Sequence, residues 1–262
     1  MREERHSKVD MRRFAPALPG LFTFGNLVCG FFALLHAMGD RPYDAAWFIF
    51  LGAFLDALDG KVARKVKATS SIGIQLDSLA DFITFGVAPV ALMRAVGLFD
   101  LGDWKLAVGI LYLFAGAYRL ARFNVSAKLE GVTYYEGLPI PIAAVTVSSG
   151  ILFINKVWPP IHGTGALGGV AVLAWLMVSN IKYNKYLPKI ALSHNAKWLL
   201  VVPSLLLIFT LILFPVYCIY PLMVIYIMFG LVREIIHWIT HRPKEKENDY
   251  GEIPSEGYSS EN

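Results

Sequence analysis

The chain has 262 residues, 56% of them hydrophobic and only 17% charged, with a mean hydropathy of +0.52. A water-solvated domain carries about 25% charged residues, so the composition excludes an ordinary soluble protein and points to lipid as the solvent. The net charge of +4 is dispersed among the polar segments between apolar runs, which makes it a membrane-surface feature and speaks against nucleic acid as a partner.

Taken in chain order, residues 1–17 form a basic N-terminal segment. Eight apolar spans follow, at about 20–37, 45–63, 77–98, 104–122, 138–155, 165–181, 198–214 and 216–236, each close to the ~20 residues that cross a bilayer. The first is not a signal peptide: it begins after nineteen residues, contains Asn26 and Gly30, and is followed by His36-Ala37-Met38, a poor cleavage site. The predicted fold is an all-α integral membrane bundle. Residues 18–182 make its catalytic core, residues 183–241 carry additional C-terminal helices, and residues 242–262 are a polar tail expected to be disordered. Cys29 and Cys218 form neither a disulfide framework nor a zinc spacing.

Lys and Arg alternate between connections. The N-terminus, the connections after the second, fourth and sixth spans, and the chain after the eighth hold twenty of the 24 basic residues. The other side holds Arg41, Arg94, Lys105 and Lys156. The positive-inside rule then places both termini in the cytoplasm of a multi-pass protein of the cell membrane. Five tryptophans, among them Trp47, Trp104 and Trp158, fall near the proposed interfaces as an aromatic belt.

The chemistry is concentrated in the second and third spans. Asp56, Asp59, Gly60, Ala63 and Arg64 share one helical face, and Gly73, Asp77 and Asp81 share a face of the next helix. A short connection joins the two helices, so four carboxylates converge near the cytoplasmic boundary. An aspartate at mid-membrane costs about 2.5–3.5 kcal/mol, and four together also repel. Divalent cations satisfy such a set, and all-oxygen ligation suits Mg²⁺ or Mn²⁺. Small residues on the same stripe either leave room for a ligand or let the helices pack closely. His237 and His241, four apart with Glu234 before them, are a weaker metal-pair candidate, since interfacial histidines beside a basic tail are ordinary.

The pattern Asp56-x2-Asp59-Gly60-x2-Ala63-Arg64-x8-Gly73-x3-Asp77-x3-Asp81 resembles the signature of the CDP-alcohol phosphotransferases at all eight positions. Leu18 to Asn26, Ala121-Arg122-Phe123-Asn124 and Gly137-Leu138-Pro139-Ile140-Pro141 are further similar to the membrane-embedded phosphatidylserine synthases of bacteria and archaea. The resemblance implies a six-helix core over the first six spans and a homodimer. It implies two divalent metals on Asp56, Asp59, Asp77 and Asp81, with Asp81 also the general base. It implies CDP-lipid binding by Gly60, Ala63, Arg64, Ser70 and Gly73, to which Asn26 is added as a hydrogen-bonding group. The expected reaction joins CDP-diacylglycerol and L-serine to give phosphatidylserine and CMP. Arg119, Arg122 and Asn124, at the cytoplasmic end of the fourth span, are the expected acceptor-binding residues, because a guanidinium fork fits the carboxylate of serine. Two other readings stay open at this point: a sister enzyme using glycerol phosphate or inositol phosphate, and a divalent-cation transporter with an intramembrane acidic cluster.

Overall fold

The structure, a computed structural model, describes residues 17–66, 71–126, 134–157, 164–184 and 213–240. The first helices are α1 (Ala17–Met38), α2 (Pro42–Val66), α3 (Ser71–Asp81), a π-helical turn Phe82–Val87, and α4 (Ala88–Ala95). They are followed by α5 (Leu106–Ser126), β1 (Tyr134–Glu136), α6 (Ile140–Val157), α7 (Thr164–Val178), β2 (Lys182–Asn184) and α8 (Pro215–Thr240). Five helical stretches among the described residues are long and apolar enough to cross a membrane: Gly20–Met38, Ile72–Ala95, Leu106–Val125, Ile140–Val157 and Pro215–Ile236. α7 is a shorter apolar helix. α2 is long enough, but its C-terminal third carries Asp56, Asp59, Lys61, Arg64 and Lys65.

The predicted bundle is present, with shifted bounds. The third span begins at Ser71, six residues before the expected 77, because apolar Ile72, Ile74 and Leu76 extend the helix below the aspartates. The sixth ends at Val178, where the chain turns into a strand. Residues 198–212 of the seventh predicted span lie outside the described residues, as do residues 1–16 and 241–262. Large apolar side chains such as Leu21, Phe24, Phe54, Leu79, Phe114 and Trp175 face outward, as expected of a surface whose solvent is acyl chains.

α1 and α2 form an antiparallel hairpin. Its turn depends on Asp40, with φ of 56°, and on the capping bonds Gly39 N–H to Leu35 O and Arg41 N–H to His36 O. Pro42 opens α2, where a missing N–H costs nothing. At the far end of the hairpin, the core is built from apolar side chains on α1, α2, α4, α5, α6 and α7, including Ala33, Ile49, Leu92, Tyr112, Ala144 and Leu176.

Two features went unread in the sequence. The first is the π-turn. Pro89 lies in the first turn of α4 and has no N–H to donate to Phe85 O. That carbonyl accepts instead from the buried Tyr112 hydroxyl on α5, at 3.1 Å, and Ala88 N–H reaches five residues back to Ile83 O. The second is an antiparallel ribbon in which β1 pairs with β2, Tyr135 opposite Tyr183. It ties the chain leaving α5 to the chain leaving α7, so the C-termini of those helices stand at one end of the bundle. The opposite end is marked by Tyr43, at the start of α2, which accepts a hydrogen bond from Asn155 near the end of α6.

Candidate metal centre

The site lies where α2 and α3 face each other beside α1 and α5. Asp56 and Asp59 project from the last third of α2. Asp77 and Asp81 stand one turn apart on α3. One carboxylate oxygen each from Asp56, Asp77 and Asp81 lie within 4.8 Å of one another. Asp81 is buried, and Asp56 and Asp77 are partly so. Asp59 is buried beside them and close enough to act electrostatically on both Asp56 and Asp77. One of its oxygens accepts from the Thr23 hydroxyl on α1, and the other, Oδ1, is buried with no hydrogen-bond partner among the described residues. Three clustered carboxylates and a fourth with an orphaned buried oxygen form a donor set that fits hard divalent cations.

Arg119 supplies positive charge from α5. It is buried, lies over the Phe123 ring, and acts electrostatically on Asp56 and Asp81. Asn124, one turn and a residue further along, exchanges hydrogen bonds with Ser78, which sits between Asp77 and Asp81 on α3. The end of α5 is thereby fixed beside the aspartates.

Arg122 is placed differently. Its guanidinium donates to the carbonyls of Met177, Val178 and Ser179 and to Asn180 Oδ1. The last carbonyls of a helix have no partner within it, and Arg122 satisfies the final two of α7, those of Met177 and Val178. Gly137 lies in the same knot, with φ of +75° and its N–H bonded to Ile181 O. A Cβ there would lie 3.0 Å from Ser179 O, so both conformation and space require glycine.

Of the expected CDP-lipid contacts, Gly60 is exposed, and a Cβ there would meet open space. Ala63 and Arg64 follow on the last turns of α2, and Gly73 is half-buried on α3 one turn before Asp77. Ser70 lies outside the described residues. Asn26 is fully buried behind Asp81. Thr23 is a residue of the site that the sequence reading did not single out, although it lies in the quoted Leu18–Asn26 segment, one helical turn before Asn26.

Residues 16–181 match the model of the CDP-alcohol phosphatidyltransferase family. The chain is similar to the CDP-diacylglycerol–serine O-phosphatidyltransferase of Helicobacter pylori strain J99, at 36% identity over 222 residues, covering 83% of this chain and 90% of that protein. It is 36% identical over 167 residues to the protein of the same name from Bacillus subtilis strain 168, covering 63% of this chain and 89% of that protein. It is 35% identical over 169 residues to the archaetidylserine synthase of Methanothermobacter thermautotrophicus, covering 64% and 69%.

Proposed function

This chain belongs to the CDP-alcohol phosphatidyltransferase family, and from that premise we propose that it transfers the phosphatidyl group of CDP-diacylglycerol to L-serine, releasing CMP. The observation that carries the reading is the convergence of Asp56, Asp77 and Asp81 within 4.8 Å from two neighbouring helices. Relatives bearing the serine transferase name, across bacteria, archaea and yeast, support serine as acceptor.

In the proposed reaction, Asp81 accepts the proton of the serine hydroxyl. The hydroxyl oxygen bonds to the phosphorus that carries the diacylglycerol. The bond from that phosphorus to the bridging pyrophosphate oxygen breaks, and CMP leaves with that oxygen. Two divalent ions, Mg²⁺ or Mn²⁺, held by Asp56, Asp59, Asp77 and Asp81, would neutralise the pyrophosphate and stabilise charge on it. Gly60, Ala63, Arg64, Ser70 and Gly73 bind the CDP moiety, the open space at Gly60 leaving room for it. Arg119 takes the serine carboxylate, with Asn124 as neutral neighbour. Arg122 frames the same mouth by holding the end of α7. The acyl chains remain in the bilayer. The active site and both termini are cytoplasmic, and the protein acts as a homodimer.

The test is CMP release from CDP-diacylglycerol by detergent-purified protein, with serine, glycerol phosphate and inositol phosphate added in turn. Serine alone should support turnover. Excess EDTA should silence it, and Mg²⁺ or Mn²⁺ should restore it. Turnover with another acceptor would reassign the substrate, and full activity without metal would defeat the mechanism.

A further inference from the structure

Asn26 is an asparagine in the middle of a membrane helix with none of its surface exposed. Its Nδ2 donates to Asp81 Oδ1 at 2.9 Å. Only the amide nitrogen can meet an ionised carboxylate this way, since the amide oxygen has no hydrogen to give. Three helical segments crowd around this pair. The Thr84 hydroxyl, from the π-turn that begins one residue after Asp81, donates to Asn26 O at 2.9 Å. On α2, a Cβ at Gly52 would lie 2.9 Å from Asn26 Oδ1 and 2.6 Å from Thr84 Cγ2. On α1, one turn beyond Asn26, a Cβ at Gly30 would lie 2.9 Å from Thr84 Cα. Asn26 therefore cannot swing its amide toward the open side of the site without displacing packed backbone.

We infer that Asn26 is a positioning residue for Asp81: its amide occupies one carboxylate oxygen and fixes the rotation of the group, so that the other oxygen is aimed at the shared site. Thr84 and the glycines at 30 and 52 hold Asn26 in turn. This gives Asn26 a task behind the carboxylate instead of contact with nucleotide. The wide π-turn is part of the device, because it delivers Thr84 to α1 directly after Asp81; π-bulges commonly occur at functional sites. The inference rests on the proposed role of Asp81, and its test keeps the two apart.

The experiment compares Asn26→Leu, which removes the donor at similar size, and Asn26→Asp, which is isosteric and sets a carboxylate against Asp81. Turnover is measured alongside Mn²⁺ affinity by titration calorimetry of the full-length protein in detergent. Removing a partner that orients a metal ligand typically costs about 10–100-fold in affinity or activity. Both variants should lose kcat and Mn²⁺ affinity in that range, Asn26→Asp the more deeply, while KM for CDP-diacylglycerol stays within about threefold of wild type. A merely structural role would lower thermal stability and leave kcat per folded molecule and Mn²⁺ affinity unchanged, which overturns the inference. A raised KM for CDP-diacylglycerol with kcat intact also overturns it, in favour of a nucleotide contact. If neither variant folds, Thr84→Val removes only the hydroxyl that holds Asn26. It should lower kcat and Mn²⁺ affinity in the same direction, and no change in either counts against the inference. Asp81→Asn is the control. If it stays active, the base assignment fails, and Asn26 is still judged by Mn²⁺ affinity; if it is inactive while the Asn26 variants match wild type, only the positioning role fails.

Discussion

Each aspartate of the site has different company, and that company predicts different phenotypes. Asp77 is in the three-carboxylate cluster and is the more exposed of the α3 pair. Asp77→Asn should abolish turnover and weaken Mn²⁺ binding, because a charged ligand is lost from a shared site. Asp81→Asn should remove turnover more completely than it weakens CDP-lipid binding, since the base is lost while Gly60 and its neighbours remain. Kinetics combined with calorimetric CDP-lipid binding separates the two; equal loss of binding in both variants would deny Asp81 its separate role. The arginines divide in the same way. Arg119→Lys keeps the charge near Asp56 and Asp81 but loses the planar fork, and should raise KM for serine about tenfold with KM for CDP-diacylglycerol nearly unchanged. Arg122→Lys cannot reproduce a guanidinium that reaches three carbonyls and an amide. Its first effect should be on thermal stability, by about 1–3 kcal/mol, with any change in serine KM following from loosening of the end of α7. The aspartates were legible in the sequence because their spacing is local, three and four residues along single helices. The hydrogen bonds from Arg122 to the end of α7 were not, because those acceptors lie 55 to 58 residues away, and nothing in Ala121–Asn124 points to the end of α7.

At the level of helices, apolar run length located most of the bundle, since a helix is the only open-chain way to satisfy backbone groups in lipid. Breaks within runs were not located, because hydropathy is blind to which carbonyl loses its partner. Pro89 was the available signal: an imide nitrogen inside a predicted span frees the carbonyl four residues earlier. In the folded chain that carbonyl belongs to Phe85 and is met by Tyr112. Tyr112→Phe should therefore leave a buried acceptor unsatisfied and lower stability by about 1–3 kcal/mol. Pro89→Ala restores an N–H at the position from which an α-helix would serve Phe85 O. In that background Tyr112→Phe should cost clearly less. Thermal unfolding of the two single variants and the double variant gives the coupling between them, and strict additivity would disprove this origin of the π-turn. The ribbon was hidden for another reason: three-residue strands are too short to show a period of two.

For the whole molecule, two boundaries matter, the membrane plane and the end of the catalytic core. The end of α2, the end of α5 and the ribbon carry six of the eleven basic residues among the described ones, Lys61, Arg64, Lys65, Arg119, Arg122 and Lys182, and α3 is bonded to the end of α5 through Ser78 and Asn124. Cysteines placed at Thr69 and Asn184 should accordingly be labelled from the cytoplasmic side, and one at Asp103 from outside; labelling of Thr69 from outside would invert the proposed orientation. The core boundary is proposed from the extent of the family match. The family model matches residues 16–181, and the Bacillus protein is matched along 89% of its own length by 63% of this chain. α8 packs on α6, where Tyr220 meets Gly150 and Phe153, but only 11% of its membrane-spanning window is buried. None of its described side chains touches the aspartates in the contacts above. A chain ended at residue 190 keeps β2, the Arg122 knot and all four aspartates. It should unfold at lower temperature, because Gly150 and its neighbours lose their cover, yet turn over CDP-diacylglycerol within about tenfold of the full chain per folded molecule, a loss of no more than about 1.4 kcal/mol in the barrier. Loss of activity in a truncated protein that still unfolds cooperatively would mean that α8 supports the site through α6, and would move the end of the catalytic unit beyond the family-matched residues.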